Sequence, residues 1–97
     1  MLVRVDPDLR EIVPDFLQNR HNDILTINDA VRKNDYETIR IIGHSMKGSG
    51  GGYGFDAISG IGAAIETAAK KKNQKGITEQ LNILSSYLKR IKIVFSP

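Results

Sequence analysis

The 97 residues include no cysteine and only two histidines. With no thiol there is neither a disulfide framework nor a thiolate metal site. The two histidines, His21 and His44, lack the paired spacing of metal ligands. No apolar run approaches the ~18 residues needed to span a bilayer. The N-terminus lacks the basic stretch and apolar core of a secretory signal, so a cytoplasmic protein with no membrane contact is expected. Aromatics make up 6% of the chain, and none is interleaved with the cluster Lys70, Lys71, Lys72 and Lys75. Such a cluster at a helix end is ordinarily a solvated cap favoured by the helix dipole. The net charge of +3, from 14 basic and 11 acidic residues, is mild, so no nucleic-acid partner is expected.

What remains is apolar spacing of helical period almost throughout, with no convincing period-2 segment. At this length the chain is a single domain spanning residues 1–97, with one modest core. Asp6-Pro7 starts a short extra N-terminal helix. Pro14 inside a continuous helix would clash with the carbonyl of Arg10, so a long helix begins near Pro14. Its seam is Val13, Leu17, Ile24, Ile27 and Val31, with the stem of Arg20 packed and its head in solvent. Asn34 with Glu37 reads as a capping box for the second long helix. That helix frays in Gly50-Gly51-Gly52, where each glycine costs about 1 kcal/mol relative to alanine. A third helix follows Gly54 on the seam Phe55, Ile58, Gly62, Ile65 and Ala69. After a polar loop at Lys70–Gly76, the last helix carries Ile77, Leu81, Leu84, Leu88, Ile91 and Phe95. Short connections favour antiparallel neighbours, so the expected fold is all-α, an up-down-up-down four-helix bundle, and a monomer.

On the wheel of the second helix, Ile39, Ile42, Met46, Ser49 and Tyr53 cluster within roughly 80°, which defines the buried face. His44 falls about 180° from their centre. Glu37, Arg40, Lys47, Gly48 and Gly51 share its outer face, with Ile41 at the border. A neutral imidazole is a good nucleophile near neutral pH, and Arg40 and Lys47 are placed to meet a dianion attached to it. Gly48 costs helix stability and gives the fold nothing; with Gly51 it clears the surface for a docking partner. No acid is evident that would orient the ring as in a catalytic triad. The site is equipped to carry a group rather than to drive a reaction alone.

His44-Ser45-Met46-Lys47-Gly48-Ser49 resembles the acceptor signature of histidine-containing phosphotransfer (HPt) domains: His, any residue, Leu, Lys, Gly, then Ser or similar. Gly54, Ile58 and Ile65-Glu66 fall where that pattern has glycine, leucine and an apolar-Glu pair. The resemblance covers residues 36–70, with Met46 a volume-conserving substitute for leucine. It implies a phosphorelay carrier of two-component signalling without autonomous catalysis, hence not an enzyme, and without a cofactor of its own. His44 would be the phosphoacceptor, taking the group from an aspartyl phosphate on a response-regulator receiver domain or hybrid histidine kinase and passing it to another receiver. Lys47 would neutralise phosphoryl charge and Gly48 allow close docking. The receiver would supply Mg²⁺ and most catalytic groups. Arg40 is added from the wheel alone; Ile41, Leu9 and Ile12 are further expected apolar contacts.

Other readings fit less well. A P-loop places its lysine after the glycine-rich turn and follows a strand, whereas Lys47 precedes most of the glycines. A helix-turn-helix DNA binder needs a basic recognition helix that the long helices here do not supply. The acceptor domain of a chemotaxis-type histidine kinase, phosphorylated by a kinase domain acting on ATP, uses a similar His-x-x-Lys-Gly element. A bundle that only docks signalling partners would keep the fold and lose the chemistry.

Overall fold

A computed structural model of the chain describes residues 2–96. Four helices dominate: α1 (Val13–Arg32), α2 (Tyr36–Gly52), α3 (Asp56–Lys70) and α4 (Gln74–Arg90). They close a ring of contacts, α1 on α2, α2 on α3, α3 on α4 and α4 on α1. The core between them contains Ile27, Ile39, Met46, Phe55, Ile58, Ile65, Ile77 and Leu84, all fully buried. Each such side chain contributes roughly 1.5–3 kcal/mol relative to an exposed one.

One device makes all three helix connections, each three residues long. The middle residue is left-handed: Asn34 at φ 55°, Gly54 at 85° and Lys72 at 53°. The next residue's N–H then reaches back to a carbonyl near the helix end, Asp35 to Ala30, Phe55 to Gly50 and Asn73 to Ala68, each at 2.8 Å. This is the Schellman closure, which satisfies carbonyls the helix leaves unpaired. That same residue caps the next helix. Asp35 accepts from Thr38 N at 3.1 Å and Asn73 from Gly76 N at 3.0 Å. Phe55 has no capping side chain and is instead fully buried, stacked on Phe16 at 5.2 Å between ring centroids.

Several expectations are corrected. Asn34 is the left-handed stop of α1, and Asp35 is the cap of α2. Gly76 lies inside α4, which begins at Gln74. The N-terminal helix is only a 3-10 turn over Pro7–Leu9, with Asp6 accepting from Asp8 N. Pro14, by contrast, sits as expected in the first turn of α1, where its missing N–H leaves no gap. The last helix stops at Arg90, because Ile91 turns extended (φ −67°, ψ 136°).

The chain is also not purely helical. Strand β1 (Leu2–Val5) pairs in parallel with β2 (Lys92–Phe95), Leu2 opposite Lys92 and Val5 opposite Phe95. Val3, Val5, Ile93 and Phe95 face the core, while Leu2, Arg4, Lys92 and Val94 are exposed. The Arg10 guanidinium lies 5.0 Å from the centroid of Phe95, a cation–π contact over the sheet end.

Candidate functional site

The site depends on how closely α2 approaches α3. On the inner face of α2, Ile39 and Met46 are fully buried, with Gly43 buried between them. A Cβ on Gly43 would fall 2.8 Å from Glu66 N and 2.9 Å from the Gly62 carbonyl. On Gly62 it would fall 2.5 Å from Lys47 N, and on Gly50 2.7 Å from Ser59 N. Backbone therefore meets backbone at three places where only glycine fits. Gly50, expected to end the helix, is one of these packing glycines; α2 continues to Gly52 and is capped by Tyr53. The Ser59 hydroxyl adds a bond from α3 into α2, donating to the Lys47 carbonyl at 2.8 Å.

This proximity brings an acid to the histidine. The His44 side chain is 68% exposed, and its Nδ1 lies 3.0 Å from Glu66 Oε2. Glu66 belongs to α3 and is 12% exposed at the side chain, with Lys70 Nζ at 3.9 Å. Burial pushes its carboxyl up, but the hydrogen bond from His44 and the charges of His44, Lys70 and Lys47 outweigh that and hold it below the usual carboxylate range. An ionised carboxylate only accepts, so Nδ1 carries the proton it donates. In the neutral ring Nε2 then keeps its lone pair. The expectation that no acid orients the ring is overturned, since the orienting group comes from the neighbouring helix. The one trace of Glu66 in the sequence was its place in the apolar-Glu pair; its contact with a residue 22 positions away is tertiary.

The other site residues share the outer face of α2 with different surroundings. The Arg40 guanidinium is held by Glu37 through both carboxylate oxygens, Nε to Oε2 at 3.1 Å and Nη2 to Oε1. That pairing raises Arg40 and lowers Glu37. Lys47 is exposed and makes no ion pair among the described residues. Among the described residues, a Cβ on Gly48 would meet nothing within 4 Å, and one on Gly51 only the Ser59 hydroxyl at 3.7 Å. Ile41 and Ile12 are exposed and Leu9 is half-buried. His21 is exposed.

Arg20 departs from its expected solvent-facing pose. Its side chain is only 11% exposed, paired to Asp23 at 2.8 Å and laid over the Phe16 ring at 4.6 Å. Its Nη1 donates to the Ser49 hydroxyl at 3.2 Å, and that hydroxyl donates to the Ser45 carbonyl at 3.0 Å. Burial pushes the Asp23 carboxyl up despite the nearby guanidinium. The chain of contacts ties α1 to the stretch of α2 immediately after His44.

Among the described residues no group of three or more His, Cys, Asp or Glu side chains converges to hold a metal ion, and no helix is long and apolar enough to cross a membrane. No curated protein and no solved structure matches the chain. The Hpt domain family matches it over residues 11–92, from before the start of α1 to the beginning of β2. With most of its length so matched, and with an exposed histidine held by a carboxylate on a helical hairpin, this chain belongs to the Hpt domain family, whose role is histidine phosphotransfer in two-component phosphorelays.

Proposed function

We infer that His44 is the phosphoacceptor of this domain, and that the group arrives from and leaves to aspartyl phosphates on receiver domains. The observation that carries the reading is the His44–Glu66 hydrogen bond at 3.0 Å. It holds Nδ1–H toward the carboxylate and leaves Nε2 as the nitrogen free to react on a 68% exposed side chain. Nε2 attacks the phosphorus of the acyl phosphate; the N–P bond forms as the P–O bond to the aspartate breaks, and the electron pair leaves on the aspartate carboxylate. Positive charge that develops on the ring is met by Glu66 through Nδ1–H. The reverse step returns the group to a second receiver.

Lys47 lies on the outward face and is free to meet the phosphoryl oxygens, whereas Arg40 must release Glu37 to do so. Gly48 leaves the surface beside His44 clear, because among the described residues no side chain fills that space. Gly51 and Ile41 widen the docking face. Mg²⁺ and the remaining catalytic groups belong to the partner, so the domain is a carrier rather than an enzyme. The three-residue connections and the ring of helix contacts support an up-down-up-down course.

The test is incubation with a phosphorylated receiver domain. Acid-labile, base-stable label should appear on the native chain and be absent from His44→Gln. No transfer from any receiver of a panel, with the native chain folded, overturns the receiver reading. Label persisting in His44→Gln moves the site elsewhere.

A further inference from the structure

We propose that the end of the bundle built by the α1–α2 and α3–α4 turns is an electrostatic docking surface, and that its partner is a carboxylate-rich surface on the protein that exchanges phosphate with His44. The proposal rests on the carrier reading above and adds what recruits the partner. An open cleft of about 600 Å³ shows that the two turns share one end: Asp35, Tyr36 and Arg40 line it from one side, Lys70 and Lys72 from the other.

The charge of the chain is concentrated there. The segments 29–40 and 66–75 hold seven of the 14 cations and four of the 11 carboxylates, net +3, which is the net charge of the whole chain. The remaining residues balance at seven and seven. All four carboxylates at this end are engaged by their neighbours: Asp29 by Lys33, Asp35 by Thr38, Glu37 by Arg40 and Glu66 by His44. Lys71, Lys72 and Lys75 are exposed and form no ion pair among the described residues.

Helix capping explains only part of this. Lys70 and Lys71 end α3, where the dipole favours a cation. Lys72 is left-handed at φ 53°, a conformation that costs an ordinary residue about 1–2 kcal/mol. The equivalent turns use Asn34 and Gly54, which tolerate it. Lys75 sits in the first turn of α4, where the dipole opposes a cation and no acidic residue compensates. Two lysines are thus kept where the fold disfavours them, which points to a use outside the fold. The patch adjoins the reaction site, since Lys70 Nζ is 3.9 Å from the carboxylate that holds His44. That adjacency favours the phosphate-exchanging protein over a nucleic acid or a lipid surface.

The test compares the native chain with Lys71→Glu/Lys72→Glu/Lys75→Glu and with the corresponding triple glutamine variant. Phosphoramidate, which phosphorylates an exposed imidazole directly, should label all three equally. With a phosphorylated receiver that labels the native chain, the charge-reversed variant should lose about tenfold in second-order transfer rate at low ionic strength, the glutamine variant less. Near 1 M salt, where screening acts within about 3 Å, the three should converge. Parallel salt dependence for all three overturns the proposal. So does a salt-sensitive loss confined to binding of a DNA duplex or phosphatidylserine vesicles, with receiver transfer unchanged. Labelling by phosphoramidate but by no receiver leaves the imidazole chemistry intact and overturns the docking surface. Failure of phosphoramidate to label the folded native chain overturns the carrier reading itself.

Discussion

Glu66 Oε2 lies 3.0 Å from Nδ1 of His44, on a helix whose backbone reaches α2 only because Gly43 and Gly62 carry no side chain. Glu66→Gln should therefore leave the helices in place and disturb the ring. Transfer should slow by about tenfold or more, by analogy with carboxylates that orient metal-bound imidazoles. Because Glu66 titrates below the usual carboxylate range in the folded chain, its contribution to stability is full above that range. It fades as pH falls through its folded value. The stability difference between native and Glu66→Gln chains should be present while Glu66 is ionised and should vanish once pH falls below its folded value; a gap that persists there, measured by denaturation midpoints, contradicts the assignment.

Two glycines near the histidine should respond to alanine with opposite signs. Gly62→Ala places a Cβ 2.5 Å from Lys47 N, so α2 and α3 must part, at a cost of about 1–3 kcal/mol. The same separation draws Glu66 from His44 and slows transfer. Gly48→Ala meets nothing within 4 Å among the described residues and should stabilise the helix by about 1 kcal/mol. It should nevertheless slow exchange with a receiver that docks over that face. Thermal unfolding and transfer kinetics on the same samples separate the two effects, and faster transfer in Gly48→Ala would remove Gly48 from the docking face.

Lys47→Ala isolates the cation. The side chain is exposed and unpaired among the described residues, so stability should change by less than about 0.5 kcal/mol. Transfer to His44 should fall while the fold persists. A large stability loss would make Lys47 a structural residue.

The sequence made the long helices legible because their apolar seams repeat, and Ile39 with Met46 marked the inner face of α2 correctly. That face placed His44 outward. Glycine has no hydropathy, so Gly43 left no signal and Gly50 read as a helix breaker; both are packing residues. Ile91, Ile93 and Phe95 fit two periods at once. Leu88, Ile91 and Phe95 continue the helical spacing, whereas Ile93 and Phe95 alternate as a strand. The strand prevails through β1, a partner at the far end of the sequence. The Glu66 contact was unreadable for the same reason, since no local pattern records which side chains two helices bring together.

Adjacent residues in the α3–α4 turn supply a last pair of opposite effects. Asn73 caps α4 through its bond from Gly76 N at 3.0 Å, and Asn73→Ala should cost about 1 kcal/mol. Lys72 is held at φ 53°. Lys72→Gly removes the left-handed strain while adding unfolded-state entropy, for a net gain of about 0.5–1 kcal/mol. If the lysine serves an acidic partner, that same variant should be more stable yet slower in exchange at low salt, with the deficit disappearing as salt rises. Equal exchange rates in a stabilised Lys72→Gly would leave the strained lysine without that role, and would put the docking charge on Lys71 and Lys75.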